Sequence, residues 1–231
     1  MGVDFLSDTE FDNKYIEVCL LKVDNTLKEH INYKILPQYD LNDKGHNKNH
    51  IEYVLKRALE ISKDYSVDYN ILYTCVCFHD IACHINREKH EILSADMAYK
   101  DEFLNNFFNN NEMIIIKEAI EDHRASSNRI PRNIYGKILS SADRKTSIKD
   151  YFISSLFFKV KDINLLHINK AIEDSYNHAI DKFGYNGYAL NKFYVDDKKY
   201  KKFLNDLQYL IDNKEEFKRL AKIVFDEVKN K

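Results

Sequence analysis

The scarcity of glycine and proline restricts the fold of this chain more than any other feature. It has 5 glycines and 2 prolines among 231 residues, whereas average usage would give about 12% for the two together. β-Sandwiches, propellers and collagen-like chains need these residues at many tight corners, so we exclude them. Glycine-rich phosphate-binding loops are excluded as well, because only Gly184 and Gly187 stand close together. The sequence therefore predicts an all-α protein built from long helices.

Charge and cysteine content limit the partners. The chain carries 35 Lys and Arg against 37 Asp and Glu, and a nucleic-acid-binding protein usually has a basic excess, so nucleic acid is not an expected partner. No apolar run is long enough for a membrane span, so no membrane is expected either. The four cysteines show no disulfide framework, which favours a reducing, cytoplasmic location. Cys75 and Cys77 would face different directions on a helix, so a zinc site built on cysteines is not expected.

The length favours one domain over residues 1–231. We expect an N-terminal helix over about 10–36, a core over about 46–147 and a helical extension over about 148–231. Apolar periodicity and capping residues predict the helices within the core. They are a helix around residues 51–59, one from the cap Asp68 to about His79, and further helices over about 87–108, 112–124 and 131–147.

Several of these helices present a coordinating side chain on or beside their apolar face. His79 and His123 continue apolar stripes, His50 lies one turn before a stripe, and Asp143 lies one turn beyond Leu139. Any one of them alone is usually a satisfied core residue or a capping residue. A buried carboxylate is costly, however, unless it is paired or coordinates a metal ion. With Asp80 beside His79, the set as a whole predicts a metal site.

Two imidazoles and two carboxylates suit Mn²⁺, Fe²⁺, Co²⁺, Ni²⁺ or Zn²⁺, with Mg²⁺ as a further candidate. Such a set leaves coordination positions open for water and substrate. An ion held in this way activates a water molecule and polarises a phosphoryl oxygen.

The ordered pattern His50…His79-Asp80…Asp143 resembles the signature of the HD-domain superfamily of metal-dependent phosphohydrolases. The resemblance runs over about residues 36–190. Within the superfamily, the chain resembles a group of small stand-alone bacterial HD proteins. It implies a compact all-α bundle with the metal at its centre, held by these four residues. It also implies hydrolysis of a phosphate ester of a small molecule, with a nucleotide as the first candidate.

His90 and His123 lie between the HD doublet and the last Asp of the pattern. Two-metal branches of the superfamily add histidines in this interval, and the Asp of the doublet then bridges both ions. His90 and His123 are therefore candidates for a second metal site. The alternative is a mononuclear site in which His123 orients another ligand or contacts substrate, so the resemblance leaves one or two ions open.

Asp80, His123 and His84 are the expected participants in catalysis, and His84, or Asp122 beside His123, is the candidate for the general acid-base role. Several HD nucleotidases place a Glu about one turn after the doublet, but residues 81–84 contain no carboxylate. Arg124 and Lys145 adjoin expected site residues and are candidates for binding the substrate phosphate. His46 is expected to support other ligands or to lie exposed.

Two other functions stay open at this point. One is an HD-fold di-iron oxygenase, which the additional histidines permit. The other is a non-catalytic nucleotide-binding HD module, against which the complete ligand set argues. The sequence does not define an oligomeric state, so a homo-oligomer is left open.

Overall fold

The computed structural model describes residues 5–7, 9–127, 129–157 and 167–230. All regular structure in these ranges is helical, which confirms the predicted all-α class. The α-helices in chain order are α1 (Asn13–Leu20), α2 (Asn25–His30), α3 (Lys48–Ile61), α4 (Tyr69–Phe78), α5 (His90–Lys100), α6 (Glu102–Phe107), α7 (Asn110–Glu121), α8 (Ile134–Ala142), α9 (Ile148–Leu156), α10 (Ile168–Phe183), α11 (Lys198–Asp212) and α12 (Lys214–Lys229). Within the described ranges, no helix combines the length and apolar character needed to cross a membrane.

The chain divides into two compact units. The N-terminal unit comprises Phe11–Asp143 and Phe193–Asp196, and it contains α1 to α8. The C-terminal unit comprises the described parts of Met1–Glu10, Arg144–Lys192 and Asp197–Lys231, and it contains α9 to α12. Aromatic side chains fill much of the core of the C-terminal unit; they include Tyr151, Phe152, Phe183, Phe203 and Phe217.

The core of the N-terminal unit lies where α3, α4, α7 and α8 pack against one another. Gly136 in α8 permits a close approach to α7. A Cβ at this position would lie 3.2 Å from Pro131 Cβ and 3.3 Å from Ala119 Cα. The missing side chain at Gly136 thus lets the ends of α7 and α8 come together.

We expect Gly136→Val to destabilise the N-terminal unit by about 1–3 kcal/mol, because its methyl groups would force α7 and α8 apart. Denaturant unfolding measures the loss. Lys137→Val, at the neighbouring half-buried position, is the matched control and should cost less. Equal losses in the two variants would mean that the close approach does not limit packing.

Capping side chains define where the helices begin. Asp68 caps α4 by accepting the backbone N–H groups of Asn70 and Ile71, as predicted. The stretch predicted as one helix over 87–108 is instead α5 and α6. Asp101 separates them because its side chain accepts Leu104 N–H and starts a new helix.

The other boundary differences have similar local causes. Residues 10–36 form α1, α2 and a π-helical turn rather than one helix, because Asp24 caps α2. Pro131 precedes α8 rather than lying in its first turn, since Asn133 is the cap, and α8 ends at Ala142. Asp143 is consequently the residue that follows the helix.

Candidate metal centre

Six side chains that can coordinate a metal ion converge in the N-terminal unit, each at the end of a helix. They are His50 in the first turn of α3, His79 and Asp80 directly after α4, His90 at the start of α5, His123 just after α7 and Asp143 directly after α8. The carbonyl ends of α4, α7 and α8 therefore lie at this cluster. Their negative dipole ends favour a cation, whereas the N-terminal ends of α3 and α5 at the same cluster act in the opposite sense.

Three of the imidazoles are fixed in one tautomer by backbone carbonyl oxygens. The Nδ1 donors and their acceptors are His79 with Val76 O at 2.7 Å, His90 with Arg87 O at 2.8 Å and His123 with Ile120 O at 2.6 Å. Because a carbonyl oxygen only accepts, Nδ1 carries the hydrogen in each ring. Each Nε2 therefore presents a lone pair to the cluster, as a metal ligand must.

Asp80 lies between two pairs of imidazoles and turns one carboxylate oxygen toward each pair. Its Oδ2 atom is 3.5 Å from His50 Nε2 and 3.3 Å from His79 Nε2. Its Oδ1 atom is 3.2 Å from His90 Nε2 and 3.5 Å from His123 Nε2. The side chain is only 3% exposed. This is the arrangement of a carboxylate that can bridge two ions.

Asp143 completes the donor set on the side of His50 and His79. Its Oδ1 atom is 3.1 Å from His50 Nε2 and 4.0 Å from His79 Nε2. Ligand atoms 2.0–2.1 Å from one ion and at right angles to each other are about 3 Å apart. His50 Nε2 and His79 Nε2 are buried and have no hydrogen-bond partner. The two imidazoles and two carboxylates therefore fit one divalent ion.

The imidazoles of His90 and His123 also favour a bound cation. His90 Nε2 and His123 Nε2 lie 3.3 Å apart. Since both Nδ1 atoms donate to carbonyl groups, two lone pairs face each other across this distance. They repel unless one nitrogen is protonated or a cation lies against both. With Asp80 Oδ1, this pair forms a second group of three donors.

The electrostatics of the cluster also favour positive charge. Burial opposes protonation of His50, but the nearby Asp143 and Asp80 carboxylates outweigh it and raise the pKa of His50 to about 9. Burial by itself would raise the pKa of Asp80, yet the surrounding imidazoles, His79 foremost, lower it well below its usual range. The carboxylates of Asp80 and Asp143 thus stay ionised. A divalent cation would balance their negative charge in place of a protonated His50.

Two residues upstream of α3 hold the HD doublet from outside the cluster. Tyr39 is fully buried; its hydroxyl donates to Cys77 O at 2.9 Å and accepts Asp80 N–H at 3.3 Å. Asn42 Nδ2 donates to Asp80 O at 2.9 Å. Sequence reasoning found no role for either residue, because nothing in the local sequence pattern shows which backbone groups they reach.

We expect Tyr39→Phe to weaken metal binding roughly tenfold, since groups that orient ligands contribute about this much. It should also cost about 1–3 kcal/mol, because the Asp80 N–H and Cys77 carbonyl groups lose a buried partner. Tyr151→Phe in the C-terminal unit removes a similar buried bond, from Tyr151 Oη to Ser175 O at 2.8 Å, and serves as the control. Unfolding and metal titration of both variants separate the two effects; equal metal affinity in the two would contradict the positioning role.

The remaining candidates lie around the cluster. His84 is exposed, and its Nδ1 lies 3.1 Å from Asn42 Oδ1. Arg124 contacts Glu88 O and lies 3.4 Å from the Glu91 carboxylate. Lys145 is half-buried and belongs to the C-terminal unit.

Asp122 is fully buried and is held by the arginines that follow it. Arg132 Nε donates to its Oδ2 atom at 2.8 Å, and Arg129 lies 3.2 Å from its Oδ1 atom. Arg132 also donates its backbone N–H to the same carboxylate at 2.9 Å. Asp122 therefore anchors the loop between α7 and α8, and its oxygens are occupied by these partners.

A family model for the HD domain matches residues 48–147. This part of the chain is an HD domain. HD domains in general bind divalent metal ions, and their superfamily is one of metal-dependent phosphohydrolases. All six clustered side chains fall within the HD domain. Comparison with curated proteins and with solved structures gives no match.

Proposed function

We propose that the chain is a two-metal phosphohydrolase that cleaves a phosphate ester of a small molecule, with nucleotides as the first substrate class to test. The observation that carries the proposal is the position of Asp80, whose Oδ2 atom faces His50 and His79 and whose Oδ1 atom faces His90 and His123. His50, His79, Asp80 and Asp143 would hold one ion. Asp80, His90 and His123 would hold the other. When bound, divalent ions at these positions supply an activated water molecule and stabilise charge on the phosphoryl oxygens.

The side chains around the proposed centre differ in their access to solvent. Asp80 is 3% exposed and Asp143 is 26% exposed. We therefore assign Asp143 to the open side of the centre, where water and substrate would arrive. The buried side, with His79 and His123, keeps bulk water from the shared carboxylate. A site that excludes water strengthens its electrostatic contacts with the substrate.

His84 is the proposed group for proton transfer to the leaving oxygen. Asn42 Oδ1 accepts hydrogen bonds from His84 N at 2.9 Å and from His84 Nδ1. Asn42 Nδ2 donates on its other side, which is consistent with this amide orientation. Nδ1 of His84 then carries a hydrogen, and the exposed Nε2 atom is the one that can exchange a proton with substrate.

Arg124 and Lys145 are the proposed phosphate-binding cations. Arg124 follows His123 directly, and a third of its side chain is exposed. The Arg124 guanidinium could bind a phosphate oxygen while it also contacts Glu91. For Lys145 the proposal rests on the sequence alone, in which it follows Asp143 by two residues. The four free cysteines support a cytoplasmic location.

An iron-dependent oxygenase is the second candidate, because the same imidazoles and carboxylates suit Fe²⁺. The two functions differ in whether O₂ is consumed or phosphate is released. The complete donor set argues against a module that binds a nucleotide without turnover.

The proposal is tested with a panel of nucleotides and other phosphate esters, supplied with Mn²⁺, Ni²⁺, Fe²⁺ or Mg²⁺ in parallel. Thermal shift detects binding, and phosphate release detects turnover. We expect at least one ester to be hydrolysed in a metal-dependent reaction that Asp80→Asn abolishes. Consumption of O₂ by the iron-loaded protein without phosphate release would favour the oxygenase. Binding with neither phosphate release nor O₂ consumption under any metal would contradict both enzymatic functions.

A further inference from the structure

A third group of donors lies beside Asp80, outside the four imidazoles already described. It consists of a His46 nitrogen, Cys83 Sγ and an Asp80 carboxylate oxygen, all within 4.8 Å of one another. Cys83 lies in the turn after the HD doublet and is 9% exposed. The ring of His46 lies edge to face with that of His50, with centroids 5.7 Å apart. The group therefore borders the proposed catalytic centre without using its imidazoles.

His46 is oriented in the manner typical of a metal-ligating histidine. Its Nδ1 atom lies 2.8 Å from Asp43 Oδ1, which fixes the ring and makes the other nitrogen a better donor. Asp43 is held in turn by Gly45 N–H at 2.8 Å and by Arg87 at 2.5 Å. The Arg87 guanidinium also lies against the His46 ring, with NH1 3.2 Å from Nδ1 and NH2 3.5 Å from Nε2, so it must move aside when an ion binds Nε2. His79, His90 and His123 instead donate from Nδ1 to backbone carbonyls.

We propose that His46, Cys83 and Asp80 form an additional cation site, selective for thiophilic ions such as Zn²⁺ and Cd²⁺, that inhibits the enzyme by competing for Asp80. The combination of sulfur, imidazole nitrogen and carboxylate oxygen is one that Zn²⁺ accepts, whereas Mg²⁺ and Mn²⁺ favour oxygen donors. The catalytic set contains no sulfur. Only the additional site therefore offers a thiolate to a thiophilic ion, and the two sites share one carboxylate.

Because both sites use Asp80, an ion at the additional site affects the metal centre. An ion bound to sulfur and His46 draws the Asp80 carboxylate away from one of the imidazole pairs. Occupation of the additional site should therefore weaken binding of an ion in the centre, and by linkage the reverse also holds. Excess Zn²⁺ would inhibit a chain loaded with Mn²⁺.

The test uses the metal-depleted full chain titrated with Cd²⁺ alone. A cadmium-thiolate bond gives an ultraviolet charge-transfer absorption that nitrogen and oxygen ligands do not give. We expect this absorption in the natural protein and its loss in Cys83→Ser, which exchanges one atom. Asp43→Asn, outside the ligands, should weaken the titration about 10–100-fold. His84→Ala, which removes an exposed neighbouring imidazole, should leave the absorption unchanged.

Several outcomes would overturn the proposal. One is no absorption in the natural protein. Another is an undiminished absorption in Cys83→Ser, which would assign the signal to the other cysteines. Circular dichroism and thermal unfolding establish that each variant is folded. This optical readout does not depend on turnover, so it stands or falls separately from the phosphohydrolase function. Where turnover is measured, Zn²⁺ inhibition of equal strength in Cys83→Ser would refute the competition for Asp80.

Discussion

Asp80→Asn should empty both halves of the metal centre and lower hydrolysis about a thousandfold or more. The substitution keeps the shape of the side chain but removes the charge that both imidazole pairs face at 3.2–3.5 Å. Stabilisation of transition-state charge by a metal ion is worth several kcal/mol, and each 1.4 kcal/mol is a factor of ten in rate. Metal content by mass spectrometry and steady-state turnover measure the two effects.

A matched control for this variant comes from a second His–Asp pair. Asp101 Oδ2 lies 3.0 Å from His30 Nε2, and both side chains are largely buried. Asp101→Asn removes a carboxylate from a comparable setting outside the ligand cluster, so metal content should stay unchanged. Full metal content in Asp80→Asn, or a parallel loss in both variants, would be inconsistent with a bridging role for Asp80.

His90→Ala should remove one ion and leave the other in place. His90 contributes only to the donor group on the Oδ1 side of Asp80, whereas His50, His79 and Asp143 lie on the other side. We expect metal content to fall from two ions to one per chain. Turnover should fall about a hundredfold or more, because a single ion cannot stabilise both the attacking and the leaving oxygen.

The control for His90→Ala is His178→Ala, at an exposed position of α10 in the C-terminal unit. It tests whether removal of any imidazole lowers metal content. Loss of both ions in His90→Ala would indicate that the two sites cannot be filled independently. Retention of both ions with normal turnover would exclude His90 from the centre.

The all-α class followed from helical periodicity within short stretches of sequence, and the HD domain from the ordered pattern His50…His79-Asp80…Asp143. The apolar stripes of α4 and α7 put His79 and His123 on inward positions, and their burial agrees with this. Helical periodicity does not show where a side chain accepts backbone N–H groups and so divides one predicted helix into two. Asp24 and Asp101 each start a new helix in a stretch that reads as continuous, because an aspartate favours the N-cap, where it accepts free backbone N–H groups, over a helix interior.

The arrangement within the centre depended on tertiary contacts that a single sequence does not contain. His90 and His123 were candidates for a second ion, but the split of Asp80 between two imidazole pairs required their positions in space. Tyr39 reaches the doublet across the fold. The contacts of Arg124 with Glu88 and Glu91 likewise depend on how α5 lies against α7.

Metal analysis of the full chain, purified without chelator, tests the two-metal centre most directly. We predict two transition-metal ions per natural chain, one in His90→Ala and none in Asp80→Asn, with all three proteins folded by circular dichroism. A natural chain without bound transition metal, or an Asp80→Asn chain that keeps both ions, would contradict the proposed centre.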